Sequence, residues 1–439
     1  VSDPSPQSNL LKWLLLGCGA FVLLLLLSCV VLGIGGTIAY RVAYPPLPSD
    51  SKAALDIIDD QVAELRGLEF RQPVTFTLMT AAELRQNIEE DFAEDWSPDE
   101  ARDGVITLAA FDLIDPDFDL YNHYLDLYSE QIAGYYDTEE KTLYVISNDD
   151  ALNVTQRVTL AHELAHALQD QHFDLSQFEN EGEDEAVDTE ADFAFRALVE
   201  GEATLLEQQY LQHLAPHDFV RMAGEIAEID TTVLDKTPLV IAEGQIFPYR
   251  EGLTFAQNLY QQGGWAAVNE AYAEPPVSTE QILHPDRYRA DDLPQVVSLP
   301  PLTGTLGSGW RQVDEDVFGE FYLRLHLNTH LSPTVTLPAA EGWGGDRYTV
   351  YHHPQADTVA AVLHTVWDTP ADAIQFQAAY ASYLTAQFGH PPDIKGAAQQ
   401  CWQGNHDYRC LSWDTTAVTV IRGPDEAVVN RIGQAVNQN

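Results

Sequence analysis

Residues 159–173 read TLAHELAHALQDQHF and hold two histidines four positions apart, with a glutamate directly after the first. In a helix, residues four apart stand one above the other on the same face, so His162 and His166 present two imidazoles to one point. Neutral ring nitrogens at that spacing bind a single metal ion, and Glu163 reaches a water at that ion without being a ligand itself. Zinc in such a place makes water acidic near neutral pH and polarises a carbonyl, while the carboxylate takes and returns a proton. The competing reading is an amphipathic helix whose histidines face solvent or pair with the abundant carboxylates. The helix pattern is strong, with Val158, Leu160, Ala161, Leu164, Ala165 and Leu168 on its apolar face. It follows directly on a hairpin pattern, and that context favours metal.

A tetrahedral catalytic zinc takes three protein ligands and leaves the fourth position open. LVEGEAT, further along the chain, supplies a candidate. With HELAH upstream and EGEA here, the sequence resembles the gluzincin metallopeptidases, in which H-E-x-x-H is followed on a later helix by a glutamate in an E-G-x-A setting. The resemblance implies a zincin-like catalytic domain, a small sheet plus a helical subdomain, with Glu200 as third ligand. Glu202 is a poor alternative, because two residues along a helix turn the side chain by about 200°. Thermolysin-like members carry an aspartate four residues beyond the ligand. Thr204 stands there in this chain, so the carboxylate that orients His162 or His166 must come from elsewhere. The gap from His166 to Glu200 is longer than in thermolysin-like or aminopeptidase-like members, and the acidic loop 180–192 accounts for the excess.

FPYREGLTFAQNLYQQGGW (247–265) is similar to the Pro-Tyr-charged-charged-Gly segment of aminopeptidase-type gluzincins, which implies that Tyr249 donates a hydrogen bond to the tetrahedral oxyanion. The alternative is a buried tyrosine opening a core helix. In PPVSTEQILHPDRY (275–288), His284 is either a second oxyanion donor or substrate contact, or a cap on the turn before Pro285. EGWGGDRYTVYHH (341–353) is expected to be a structural hairpin with a glycine-rich turn. DPDFD (115–119) starts like a calcium loop, but Leu120 replaces the required glycine, which excludes an EF-hand.

The elements that must hold these residues are partly legible. Helical periodicity runs over 51–68 through Leu55, Ile58, Val62 and Leu65, and RQPVTFTLM (71–79) alternates like a strand. Thr80 and Glu83 form a capping-box pattern, and a further helix follows Ser97-Pro98. IAGYYDTEEKTLYVIS is a hairpin turning at Asp137 to Glu140. A long helix follows 192, and more helix is expected at 251–273. Beyond 301 the texture changes to strands (DRYTVYHH, TVAAVLHTVW, TAVTVIRG) and one helix (369–388), a mixed α+β region without internal repeats.

The 439 residues include 68 acidic and 22 basic ones, a net charge of −46. That balance excludes nucleic acid as a partner, since phosphate binding needs clustered Lys and Arg. Residues 13–40 form an uncharged apolar run bracketed by Lys12 and Arg41. At ~1.5 Å per residue it reaches ~42 Å, enough to span the ~30 Å hydrocarbon core with tilt. It exceeds the roughly 7–15 residues of a cleaved signal's apolar region. The lipoprotein-like LLGC and LLSC are followed by more apolar chain, so Cys18 and Cys29 read as packing residues in a retained single-pass anchor; a lipoprotein or a cleaved signal is the other option. The acidic C-terminal bulk would lie outside the cell membrane, where Cys401 and Cys410 can close a disulfide; two reduced cysteines on adjacent strands are the other option.

The expected organisation is a tail (1–12), a transmembrane helix (13–40), a Pro-rich linker (41–50), a zincin-like domain (51–300) and an α+β region (301–439). The expected activity is a membrane-anchored zinc metalloendopeptidase acting on polypeptide, with His162, His166 and Glu200 on zinc, Glu163 activating water, and Tyr249 and His284 as accessory groups. The rivals are a zinc hydrolase of a non-peptide amide such as a cell-wall crosslink, and a non-catalytic membrane-anchored binding protein. Nothing in the sequence sets the oligomeric state.

Overall fold

The computed structural model describes residues 51–147, 151–175 and 189–437. The apolar segment 13–40 and the linker 41–50 lie outside these residues, as does most of the acidic stretch 180–192. Among the described residues, no helix is long and apolar enough to cross a membrane. The architecture is α+β.

Helix α1 (Ser51–Arg66) buries Leu55, Ile58 and Val62, the face read from their spacing. Strand β1 (Thr75–Met79) leads into α2 (Ala81–Asp95). That helix starts on the expected capping box: the Glu83 carboxylate accepts from the Thr80 N–H at 2.8 Å, and the Thr80 hydroxyl accepts from the Glu83 N–H at 3.2 Å. Ser97 and Glu100 repeat the device at α3 (Pro98–Ala110). After α4 (Leu120–Gln131) come β2 (Gly134–Asp137) and β3 (Thr142–Ile146). The sheet order is β1–β3–β2, with β1 parallel and β2 antiparallel to β3, so β2 is an edge strand.

Helix α5 (Val154–Phe173) carries the two histidines and follows this hairpin, as the sequence suggests. It has no solvent face over most of its length. From Val158 to Asp170 every residue is buried, polar ones included, because the sheet and α1 cover one side and α6 (Thr189–Leu211) covers the other. The helix α6 begins at Thr189, inside the stretch read as an acidic loop, and ends before α7 (Pro216–Ile226). Helix α8 (Leu239–Gly263) packs along α6 and starts well before the expected 251, with Pro248 inside it. Tyr249 therefore sits mid-helix instead of opening one. A proline interrupts the helical hydrogen-bond ladder, which is why the sequence pattern suggested a later start. Short helices α9 (Trp265–Glu270), α10 (Thr279–Leu283) and α11 (Pro285–Arg289) follow.

The remaining chain forms α12 (Thr303–Leu306), β4 (Arg311–Asp316), α13 (Gly319–Asn328), α14 (Pro333–Ala340), β5 (Trp343–His353), β6 (Thr358–Trp367), α15 (Pro370–Phe388), β7 (Ile394–Lys395), β8 (Gln399–Gln403), β9 (Tyr408–Trp413), β10 (Ala417–Gly423) and α16 (Glu426–Val436). The strands make one antiparallel sheet in the order β4–β5–β6–β10–β9–β8–β7. One core holds Leu323, Trp343, Trp367, Phe376 and Tyr383; the other holds Leu302, Val428 and Ile432. β5 and β6 pair as a hairpin, with the Gly344–Gly345 pair at a bulge near the start of β5 instead of in a turn. Cys401 and Cys410 face each other across β8 and β9 and are joined as a disulfide.

Residue 300 is not a break in packing. Ile106, Ala110 and Phe111, at the end of α3, sit in the core of the large sheet. There Asp112, in left-handed backbone, meets the Arg409 guanidinium, Arg422 and the Tyr383 hydroxyl, while Arg422 caps α3 by donating to the Ala109 and Ala110 carbonyls at 3.0 and 2.6 Å. Burial opposes the charge on Asp112, but Arg409 and Arg422 outweigh it and hold the carboxyl well below the usual range. Asp112→Asn leaves Arg409 and the partly exposed Arg422 with Asp407 as their remaining carboxylate and is expected to cost about 1–3 kcal/mol in urea unfolding. Because the folded-state pKa is depressed, this contribution is present above the ordinary carboxylate range and fades as pH falls through it. The variant should therefore be less sensitive to acid than the wild type.

Candidate metal centre

His162, His166 and Glu200 converge. The Glu200 Oε2 atom lies 3.2 Å from His162 Nε2 and 3.4 Å from His166 Nε2, and all three side chains are buried. A tetrahedral ion with bonds of about 2.0–2.1 Å separates its ligand atoms by roughly 3.3 Å, so these spacings match two edges of such a set. Two more atoms support the fit. His166 Nε2 and Glu200 Oε1 are buried without a hydrogen-bond partner, a condition native interiors avoid unless an ion or water completes them. Two imidazoles and one carboxylate are a donor set that zinc accepts, and among the described residues this is the group whose ligand atoms could share a metal ion.

The backbone explains why Glu200 arrives there. Helices α6 and α8 touch at Gly201 and Gly252. A Cβ on Gly201 would lie 2.1 Å from the Gly252 carbonyl, and one on Gly252 would lie 2.0 Å from the Ala197 carbonyl oxygen. Only glycine allows that approach. The crossing sits one residue from Glu200 and three from Tyr249, so it fixes both relative to α5. Tyr249 is fully buried, and its ring lies 6.0 Å from that of His162, tilted by 29°.

Each histidine has an outer partner that the sequence reading did not name. Glu207 Oε2 stands 3.2 Å from His162 Nδ1, at ion-pair distance but outside hydrogen-bond geometry. It lies seven residues after Glu200, two helical turns and so the same face, whereas the four-residue offset of thermolysin-like members points to Thr204. Gln169 Oε1 stands 2.8 Å from His166 Nδ1. Glu202 points elsewhere, to Arg66 of α1 at 2.5 Å, as its rotation from Glu200 predicts.

Glu163 is held from the sheet. The Tyr136 N–H, on the open edge of β2, donates to its Oε2 at 3.0 Å. The Tyr136 hydroxyl donates to Asp170 at 2.9 Å, and Lys141 pairs with Asp170 at 2.8 Å, which locks the hairpin to α5. Burial pushes the Glu163 carboxyl up to about 7, against the pull of His166 and His162. Burial works against charge on His162, but contacts with Glu200 and Glu207 outweigh it and raise its pKa to about 10. Glu200, though buried, is held far below the usual range by His166 and His162. A divalent cation would displace those imidazole protons, so metal affinity must rise with pH.

His284 does not join this group. It caps the junction of α10 and α11 before Pro285, and its Nε2 atom lies 3.1 Å from Glu320 and 3.3 Å from Arg324, both on α13. The structure thus brings together His162, Glu163, His166, Glu200 and Tyr249, and ties His284 to the large-sheet region.

Comparison with known proteins adds one match. A family described as "Domain of unknown function (DUF8575)" matches residues 306–433, which covers β4 to α16. No curated protein matches the chain, and no solved structure does.

Proposed function

We propose that this chain is a zinc-dependent endopeptidase, anchored in the cell membrane by residues 13–40, with its catalytic part outside. The observation that carries the reading is the buried convergence of His162, His166 and Glu200 beside a carboxylate, Glu163, that takes no part in the ligand set. The zincin-like resemblance and the order histidine helix, glutamate, tyrosine along the chain point the same way. The Cys401–Cys410 bond suits an oxidising compartment and supports the outside placement.

When bound, zinc supplies Lewis acidity toward water and the scissile carbonyl. His162, His166 and Glu200 would hold it, Gln169 would orient the His166 imidazole, and Glu207 stands beside His162. A peptide in extended form adds to the outer edge of β2 through main-chain groups other than the Tyr136 N–H, as strands do at sheet edges. Glu163 accepts a proton from the attacking water and later delivers it to the leaving amine. The Tyr136 N–H keeps that carboxylate aimed, and the Tyr249 hydroxyl stabilises the negative charge that builds on the former carbonyl oxygen.

The test is hydrolysis of a set of unstructured peptides by the purified full chain, with elemental analysis of the same sample. Roughly one zinc per chain and internal cleavage abolished by a chelator are expected. Turnover of a peptidoglycan crosslink but of no peptide would favour the amidase rival, and zinc without any hydrolysis would favour the binding protein. In the same assay Tyr249→Phe is expected to lower kcat by about 10²-fold, the usual loss for one oxyanion donor, with zinc content unchanged. Unchanged kcat would remove Tyr249 from the mechanism.

A further inference from the structure

We infer that Gln169 is a positioning residue that presets His166 with its proton on Nδ1, and that the Val199 main-chain carbonyl of α6 dictates the direction in which Gln169 points. The inference rests on the zinc reading of the site.

The orientation of Gln169 follows from what its neighbour can do. The Val199 main-chain carbonyl on α6 can only accept, and it takes a hydrogen from Gln169 Nε2 at 2.9 Å. Gln169 therefore turns its NH₂ towards α6 and its carbonyl oxygen the other way.

With its NH₂ turned to Val199, Gln169 Oε1 faces His166 Nδ1 at 2.8 Å and can only accept. His166 Nδ1 must carry a proton. In the neutral ring, the lone pair then falls on Nε2, the atom that stands 3.4 Å from Glu200 Oε2 and has no hydrogen-bond partner. The opposite tautomer would place an N–H where the metal must bind. Partners that fix the tautomer of a ligating histidine are typically worth about 10–100-fold in metal affinity. Here the partner is a neutral amide whose own two-fold ambiguity is resolved by the Val199 carbonyl.

The test uses the full chain, zinc-loaded, with ¹⁵N-labelled histidine; the His166 ring signal is identified by its loss in His166→Asn. The wild type should show a downfield Nδ1–H resonance, the sign of a strong hydrogen bond. Gln169→Met, close in shape but without the acceptor, should move that resonance upfield and weaken zinc binding by about 10–100-fold in chelator competition. Gln169→Glu, which restores an acceptor, should recover the affinity. An unmoved resonance with unchanged affinity in Gln169→Met overturns the inference. Should that variant fail to fold, Gln169→Glu decides alone: a charged acceptor must shift the same proton further downfield, and an unmoved proton overturns the inference. A wild type that shows this signature and binds zinc but cleaves no peptide would sink the peptidase reading and leave Gln169 in its role.

Discussion

Glu163→Gln is expected to lower turnover by about 10²–10⁴-fold, the range contributed by a positioned general base, while zinc content and thermal unfolding stay near wild type. Glutamine keeps the volume of a side chain that has no exposure at all, and its amide oxygen can still accept from the Tyr136 N–H. What it loses is the capacity to take a proton. Burial lifts the Glu163 carboxyl to about 7, opposed by the two imidazoles, and a cation at the site would draw it lower. The base works ionised, so kcat/KM should fall as pH drops below neutrality, and this acid limb should flatten in Glu163→Gln. Turnover equal to wild type in a folded, zinc-containing variant would end the mechanism given above.

Glu200→Gln is the second large effect, and it acts on the metal and not on the chemistry. Glutamine preserves shape at a fully buried position next to the Gly201–Gly252 crossing, so the fold should survive. The charge that would hold zinc beside two neutral imidazoles is gone. Affinity measured by chelator competition should fall by more than about 100-fold, beyond the cost of losing an outer hydrogen-bond partner. Activity should fall with it and return in part when zinc is added in excess. The imidazoles should titrate lower too, because contact with Glu200 helps hold the pKa of His162 up near 10. A variant that keeps stoichiometric zinc would mean that the third ligand is another acid.

These two residues also show how far a linear reading reaches. The pair His162 and His166 needs only helical geometry, and Glu163 follows from adjacency; the structure keeps all three on one buried helix. The capping box of Thr80 and Glu83 and the helix start after Ser97-Pro98 were equally legible, since a helix start is settled within four residues of chain. Glu200 came from the E-G-x-A resemblance, and its glycine proves to be the close contact that lets α8 approach α6. Tyr249 came from a similar segment, but Pro248 concealed that the helix begins at Leu239.

The helix spacing, the caps, the edge hairpin and the α+β texture of residues 301–439 were thus determined by the sequence alone, because each depends on a period of two or 3.6 residues or on a short local bond. Only the tertiary structure decided that Glu207 and Gln169 flank the histidines, that Glu202 belongs to Arg66, that His284 turns to Glu320, and that the end of α3 completes the core of the large sheet. Those choices depend on which faces of distant helices meet. That is set by side-chain volume and close backbone approach between segments up to hundreds of residues apart, and no local periodicity records it.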